Sequence, residues 1–167
     1  MVSTDPADCL SPQDRAVLDA TGPKPLPGLD VRPVRGAVPA VLAIHLQRHL
    51  FGDHVDVVDV VDAVAPQNGD AVRDRSSSSA FSGTDLLSRL VRARRDPVVA
   101  LGCAASGCVR STMLDAAQHG FAVLAPRECV FDRVQASTAI ALLDASASFA
   151  EAASTGEVQR YLEEVAA

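Results

Sequence analysis

The side chain with the most chemistry to offer is a thiol. In VVALGCAASGCVRSTMLDAAQHGF, residues 98–121, an apolar run ends in a turn of small residues, and Cys108 falls where the next helical stretch opens. A helix start presents unpaired N–H groups and a positive partial charge, and both favour a thiolate over a thiol. The same N–H groups can hold the oxyanion that forms when sulfur attacks a carbonyl. Arg110, close by in sequence, would add positive potential. The competing reading of Cys108 is a small buried hydrophobe at a tight packing point, the commonest fate of a cysteine outside a disulfide. Position alone leaves both open.

The elements that must position this sulfur can be read from the apolar pattern. Val38–Ile44 (VPAVLAI) is short and apolar, which suits a buried parallel strand. Residues 55–64 (VDVVDVVDAV) are predicted helical, with Asp56, Asp59 and Asp62 three apart on one side. PQNGD at 66–70 is a turn, and residues 71–83 are a short strand at most, leading into a serine loop. Thr84 caps a predicted helix, TDLLSRLVRARR, that Pro97 ends. Val98–Leu101 is the second strand; a helix over Ser106–His119 is stopped by Gly120. Then follow a strand at 121–125, a helix at 132–147, an edge strand at 149–153 and a closing helix at 154–165. Strands alternating with helices imply an α/β three-layer sandwich around a mostly parallel sheet. Such sheets place their sites at the carboxyl ends of strands, where Cys108 lies.

Length and composition bound the rest. A chain of 167 residues, 48% hydrophobic, fits one core. Residues 1–36, rich in Pro, Gly and charge, read as an extended N-terminal arm, and 37–167 as the domain. A formal net charge of −6 argues against nucleic acid as a partner. No apolar run is long enough to cross a membrane, and the N-terminus lacks the pattern of a secretory signal. Four cysteines without paired spacing are too sparse for a disulfide framework, so a reduced, cytoplasmic protein is expected. Only one lysine is present, Lys24, within TGPKPLPG.

Beyond these features, the stretch from about residue 70 to 162 resembles the isochorismatase-like cysteine hydrolases, which include N-carbamoylsarcosine amidohydrolases and nicotinamidases. The resemblance is carried by SAFSGTDL at 79–86, GCAASGCVRSTMLDAAQHGF at 102–121, ECVFDR at 128–133 and FAEAASTGEVQRYL at 149–162. VLAIHLQ at 41–47 is similar to the family's first strand. The resemblance implies a cysteine nucleophile at Cys108, and a cis peptide with an oxyanion-hole turn at Cys103–Ala104, the donors being the N–H groups of Ala104 and Cys108. It implies small-molecule chemistry, with Phe81, Arg75 and Arg110 as candidate substrate contacts, and association into homo-oligomers. No cofactor and no metal are expected, since His54 alone makes a poor ligand set.

Two further family residues are replaced. Where the family has the aspartate that takes the proton, this chain has His45; where it has a lysine, this chain has Arg75. Lys24 precedes the first strand and cannot substitute. The interval from His45 to Arg75 is also short by about one strand–helix unit of roughly 30 residues. Two functional classes stay open. In one, His45 serves as base to Cys108 in a divergent hydrolase of amides or related carbonyl compounds, with Arg75 holding a carboxylate. In the other, the chain is a non-hydrolytic relative, either an assembly subunit or an enzyme turned to rearrangement or cyclisation in specialised metabolism. Asp53, Asp56, His49 and His119 are expected at the surface, Asp115 and Asp132 in structural contacts, and Cys9 and Cys129 inert.

Overall fold

The computed structural model describes residues 11–13, 16, 38–46, 65–73 and 76–166. The N-terminal arm, the predicted helix at 55–64, and Lys24, His49, Asp53, His54 and Arg75 lie outside the described residues, apart from the few arm positions just given. So does most of the interval in which a shortening is expected.

Among the described residues the order is β1 (Val38–Ile44), α1 (Leu86–Arg92), β2 (Arg95–Gly102), α2 (Arg110–Gln118), β3 (Val123–Pro126), α3 (Gln135–Ser148), β4 (Glu151–Ala153) and α4 (Thr155–Ala166). A π-helical turn, Ala105–Val109, leads into α2, and a 3-10 turn, Arg127–Cys129, follows β3. The four strands form one sheet in the order β1-β2-β3-β4, every pair parallel.

Alternation along the strands divides the core between the two faces of the sheet. Val98 and Ala100 of β2, with Val123 and Ala125 of β3, pack on Met113, Ala116, Leu142 and Ala145 of α2 and α3. Val99 and Leu124 point the other way, onto Val158, Tyr161 and Leu162 of α4. Helices therefore cover both faces, and the molecule is an α/β sandwich. The closing helix is well capped: the Ser154 N–H and hydroxyl donate to the Glu157 carboxylate at 2.8 and 2.6 Å, and Glu157 N–H donates back to Ser154 Oγ.

Several boundaries move from where the sequence puts them, for identifiable reasons. The helix expected to run to Pro97 stops at Arg92, because Arg94 adopts a left-handed φ of 50° and the chain turns into β2. Pro97 is not a terminator but a buried residue of β2. It has no N–H to give a ladder, and it sits where the register slips: Val38 pairs with Arg95, but Ala40 pairs with Val98. The Asp96 carboxylate meanwhile accepts from Ala122 N–H at 3.0 Å, bracing this bulge against the approach to β3. The helix expected from residue 132 begins at Gln135, since Asp132 is drawn toward Ser106. No strand forms at 71–73, which are irregular, or at 76–83, which are bends and turns.

Candidate active site

The site is assembled at the carboxyl edge of the sheet, where β1 and β2 end side by side. Ile44 pairs with Gly102, and Cys103 N–H donates to Ile44 O at 3.0 Å. The two backbones come so close that a Cβ on Gly102 would lie 2.1 Å from Ile44 O, and φ there is +118°. Only glycine fits both constraints. This contact brings the residue after β1, His45, beside the residue after β2, Cys103. His45 takes a left-handed φ of 55°, and the Cys103–Ala104 peptide is cis.

From Ala104 the chain doubles back into the π-helical turn. Ala104 O accepts from Gly107 N–H at 3.0 Å and Val109 N–H at 3.1 Å. The turn leaves Cys108 half-buried against the main core, with its sulfur 3.5 Å from His45 Nδ1. A thiol donating to Nδ1 requires the imidazole tautomer protonated on Nε2. Proton transfer along the same line gives a thiolate–imidazolium pair. The arrangement therefore places a thiol in contact with an imidazole at a strand-to-helix turn, the two groups that nucleophilic attack and proton transfer would need.

Neighbouring groups hold the turn. Thr112, fully buried, donates its hydroxyl to Cys108 O at 2.7 Å and accepts from Ala80 N–H at 3.0 Å, tying the serine loop to α2. Asp132 accepts from Ser106 through one carboxylate oxygen, from N–H at 2.8 Å and from Oγ at 2.6 Å. Burial pushes Asp132 up, but the bonds from Ser106 and from its neighbour Arg133 outweigh it, and the net shift is downward. Cys103 is buried, and desolvation, helped by the nearby charge of Asp132 and by Cys108, pushes its thiol above the ordinary range.

Two expected substrate contacts are otherwise engaged. Phe81 is 7% exposed, its ring packed against His119 and Phe121 with centroids 5.3 and 6.3 Å away, so it serves the core. The Arg110 guanidinium lies 3.8 Å from the Asp144 carboxylate and over the Phe149 ring, which turns it to α3. Sequence reasoning passed over Thr112, Ser106 and Gly102. Gly102 had a signal, a glycine ending a buried strand beside a small-residue turn. Thr112 and Ser106 had none.

A parallel α/β sandwich carrying a cysteine at a strand-to-helix turn on its carboxyl edge defines the broad class. Within it, residues 37–157 match the isochorismatase domain, and the chain belongs to that family. It is 38% identical over 102 residues to an N-carbamoylsarcosine amidase from Arthrobacter sp, a match covering 61% of this chain and 39% of that protein. It is 47% identical over 72 residues to a maleamate amidohydrolase from Pseudomonas putida, covering 43% of this chain and 34% of that one. The matched stretches thus span well under half the length of either relative. A solved cysteine hydrolase from Pseudomonas syringae pv. phaseolicola superposes with a TM-score of 0.65 at 22% identity, covering 76% of this chain and 73% of that one. At that identity the superposition speaks for the fold alone.

Proposed function

We propose that the chain is a cysteine hydrolase cleaving an amide, or a related small carbonyl compound, through Cys108 with His45 as its base. The reading rests on one contact, the 3.5 Å approach of sulfur to His45 Nδ1. Proton transfer to the imidazole leaves a thiolate, which attacks the substrate carbonyl carbon. The N–H groups of Ala104 and Cys108 hold the oxyanion. The imidazolium returns its proton to the leaving nitrogen, the C–N bond breaks, and a thioester on Cys108 remains. Water, giving a proton to His45, then attacks the thioester; the acid departs and the thiol is restored. Arg75 is assigned the substrate's anionic group, because a planar guanidinium grips a carboxylate at two points and copies a lysine's point charge poorly. The choice of an amide draws on the relatives' names, an amidase and an amidohydrolase.

The test begins without a substrate. At pH 7 iodoacetamide should alkylate Cys108 about tenfold faster than Cys103 or Cys129, and His45→Ala should abolish that preference. A screen of small amides comparing wild type with Cys108→Ala then finds the substrate class. Equal labelling of the cysteines in the native protein would overturn the reading.

A further inference from the structure

Four hydrogen bonds, in three rungs, join the segment after β3 to the end of β2 and the turn that carries the sulfur. Phe131 N–H donates to Gly102 O at 3.1 Å, and Ala105 N–H donates to Phe131 O at 2.8 Å, extending the parallel bridge between Gly102 and Val130. The third rung is made by a side chain, the Asp132 carboxylate holding both donors of Ser106. This carboxylate is 2% exposed, and its other oxygen accepts from Arg133 N–H at 2.8 Å. A nearly buried anion, bonded on both oxygens and placed against the first turn leading into α2, is not needed to bury apolar surface. Ser106, which it holds, lies two residues from Ala104 and two from Cys108, the positions whose N–H groups are assigned to the oxyanion.

We propose that Asp132 is a positioning residue for the oxyanion turn: by clamping Ser106, it fixes the backbone of residues 104–108 so that the Ala104 and Cys108 N–H groups converge on the carbonyl under attack. The inference rests on the nucleophile reading above. Its role is directional. Misplacing an oxyanion donor costs rate only in reactions that pass through a tetrahedral anion, whereas simple displacement at a saturated carbon makes no demand on those donors.

Two probes of the same sulfur separate the cases. With p-nitrophenyl acetate, the Cys108 sulfur attacks the ester carbonyl, acetyl transfers to sulfur and p-nitrophenolate leaves. With iodoacetamide, sulfur displaces iodide at a methylene carbon and forms no oxyanion. Rates assigned to Cys108 are those absent in Cys108→Ala. Asp132→Ala is expected to slow acetylation by about tenfold or more while changing alkylation by less than about twofold. Asp132→Asn keeps an oxygen acceptor for Ser106 N–H and should restore acetylation to within about threefold of wild type. Ser106→Ala, on an exposed hydroxyl, covers the case in which Asp132→Ala does not fold; it should slow acetylation selectively by about threefold. Parallel loss of both rates, or no loss of either, overturns the positioning role while leaving the nucleophile reading intact. Wild-type alkylation at Cys108 without any Cys108-dependent acetylation overturns both.

Discussion

At position 45 an imidazole meets the Cys108 sulfur, a contact that joins residues 63 apart in sequence. Nothing in the spacing announces that contact. It was legible because the block around Cys108 resembles a family whose first strand ends beside the nucleophile. The Ser106–Asp132 clamp was not legible, because an aspartate in ECVFDR has no local signature of reaching back 26 residues to a backbone N–H. The two neighbouring thiols make a residue-scale prediction. Cys103 is buried and its thiol is pushed up by desolvation and by the Asp132 charge. Through pH 9, therefore, Cys103 should be alkylated more slowly than the half-buried Cys129, and Asp132→Asn should narrow the gap. Peptide mapping after timed iodoacetamide pulses measures both rates.

Elements here are positioned by close backbone contacts more than by large side chains. Gly102 is the tightest, and replacing it with alanine meets Ile44 O and a positive φ together. Gly102→Ala should cost about 2–3 kcal/mol in urea unfolding and should lower Cys108 reactivity, since β1 carries His45. Thr112→Ala removes the acceptor for Ala80 N–H and the donor to Cys108 O, at a fully buried site. A loss of about 1–3 kcal/mol is expected, again read from urea midpoints. The strands themselves were visible as apolar runs, and their alternation with helices gave the sandwich. The end of α1 is not marked in the sequence, because the proline that reads as its terminator lies inside β2. A register slip in β2, which no composition signal marks, lets it continue inside the sheet.

For the whole molecule, charge and burial set a stability window. Asp132, Glu128, Glu157 and Asp85 are all held below their ordinary range, Asp85 at about 2 by Arg73 and Arg89. A carboxylate depressed in the folded state contributes stability above its unfolded pKa, about 4, and loses it as pH falls toward the folded value. Cys103 and Tyr161 are raised, chiefly by burial, so their contribution is intact below their unfolded values, about 8.5 and 10, and declines as pH rises past them. Thermal midpoints should be flat from about pH 5 to 8 and fall on either side. The Tyr161 hydroxyl is buried and has no hydrogen-bond partner among the described residues. Tyr161→Phe should therefore stabilise the fold by about 1 kcal/mol and soften the alkaline limb.

The segment at 130–132 is laced to β2 and to the turn beyond it, so the environment of Cys108 is drawn from three stretches that are far apart along the chain. None of them alone surrounds that sulfur with its partners. Selective alkylation of one cysteine thus doubles as a gauge of complete assembly: a truncated or partly melted chain that keeps its helices should already have lost the selectivity. Far-ultraviolet circular dichroism and pulse alkylation, followed together through a urea titration, would then part company, with the chemical signal vanishing first.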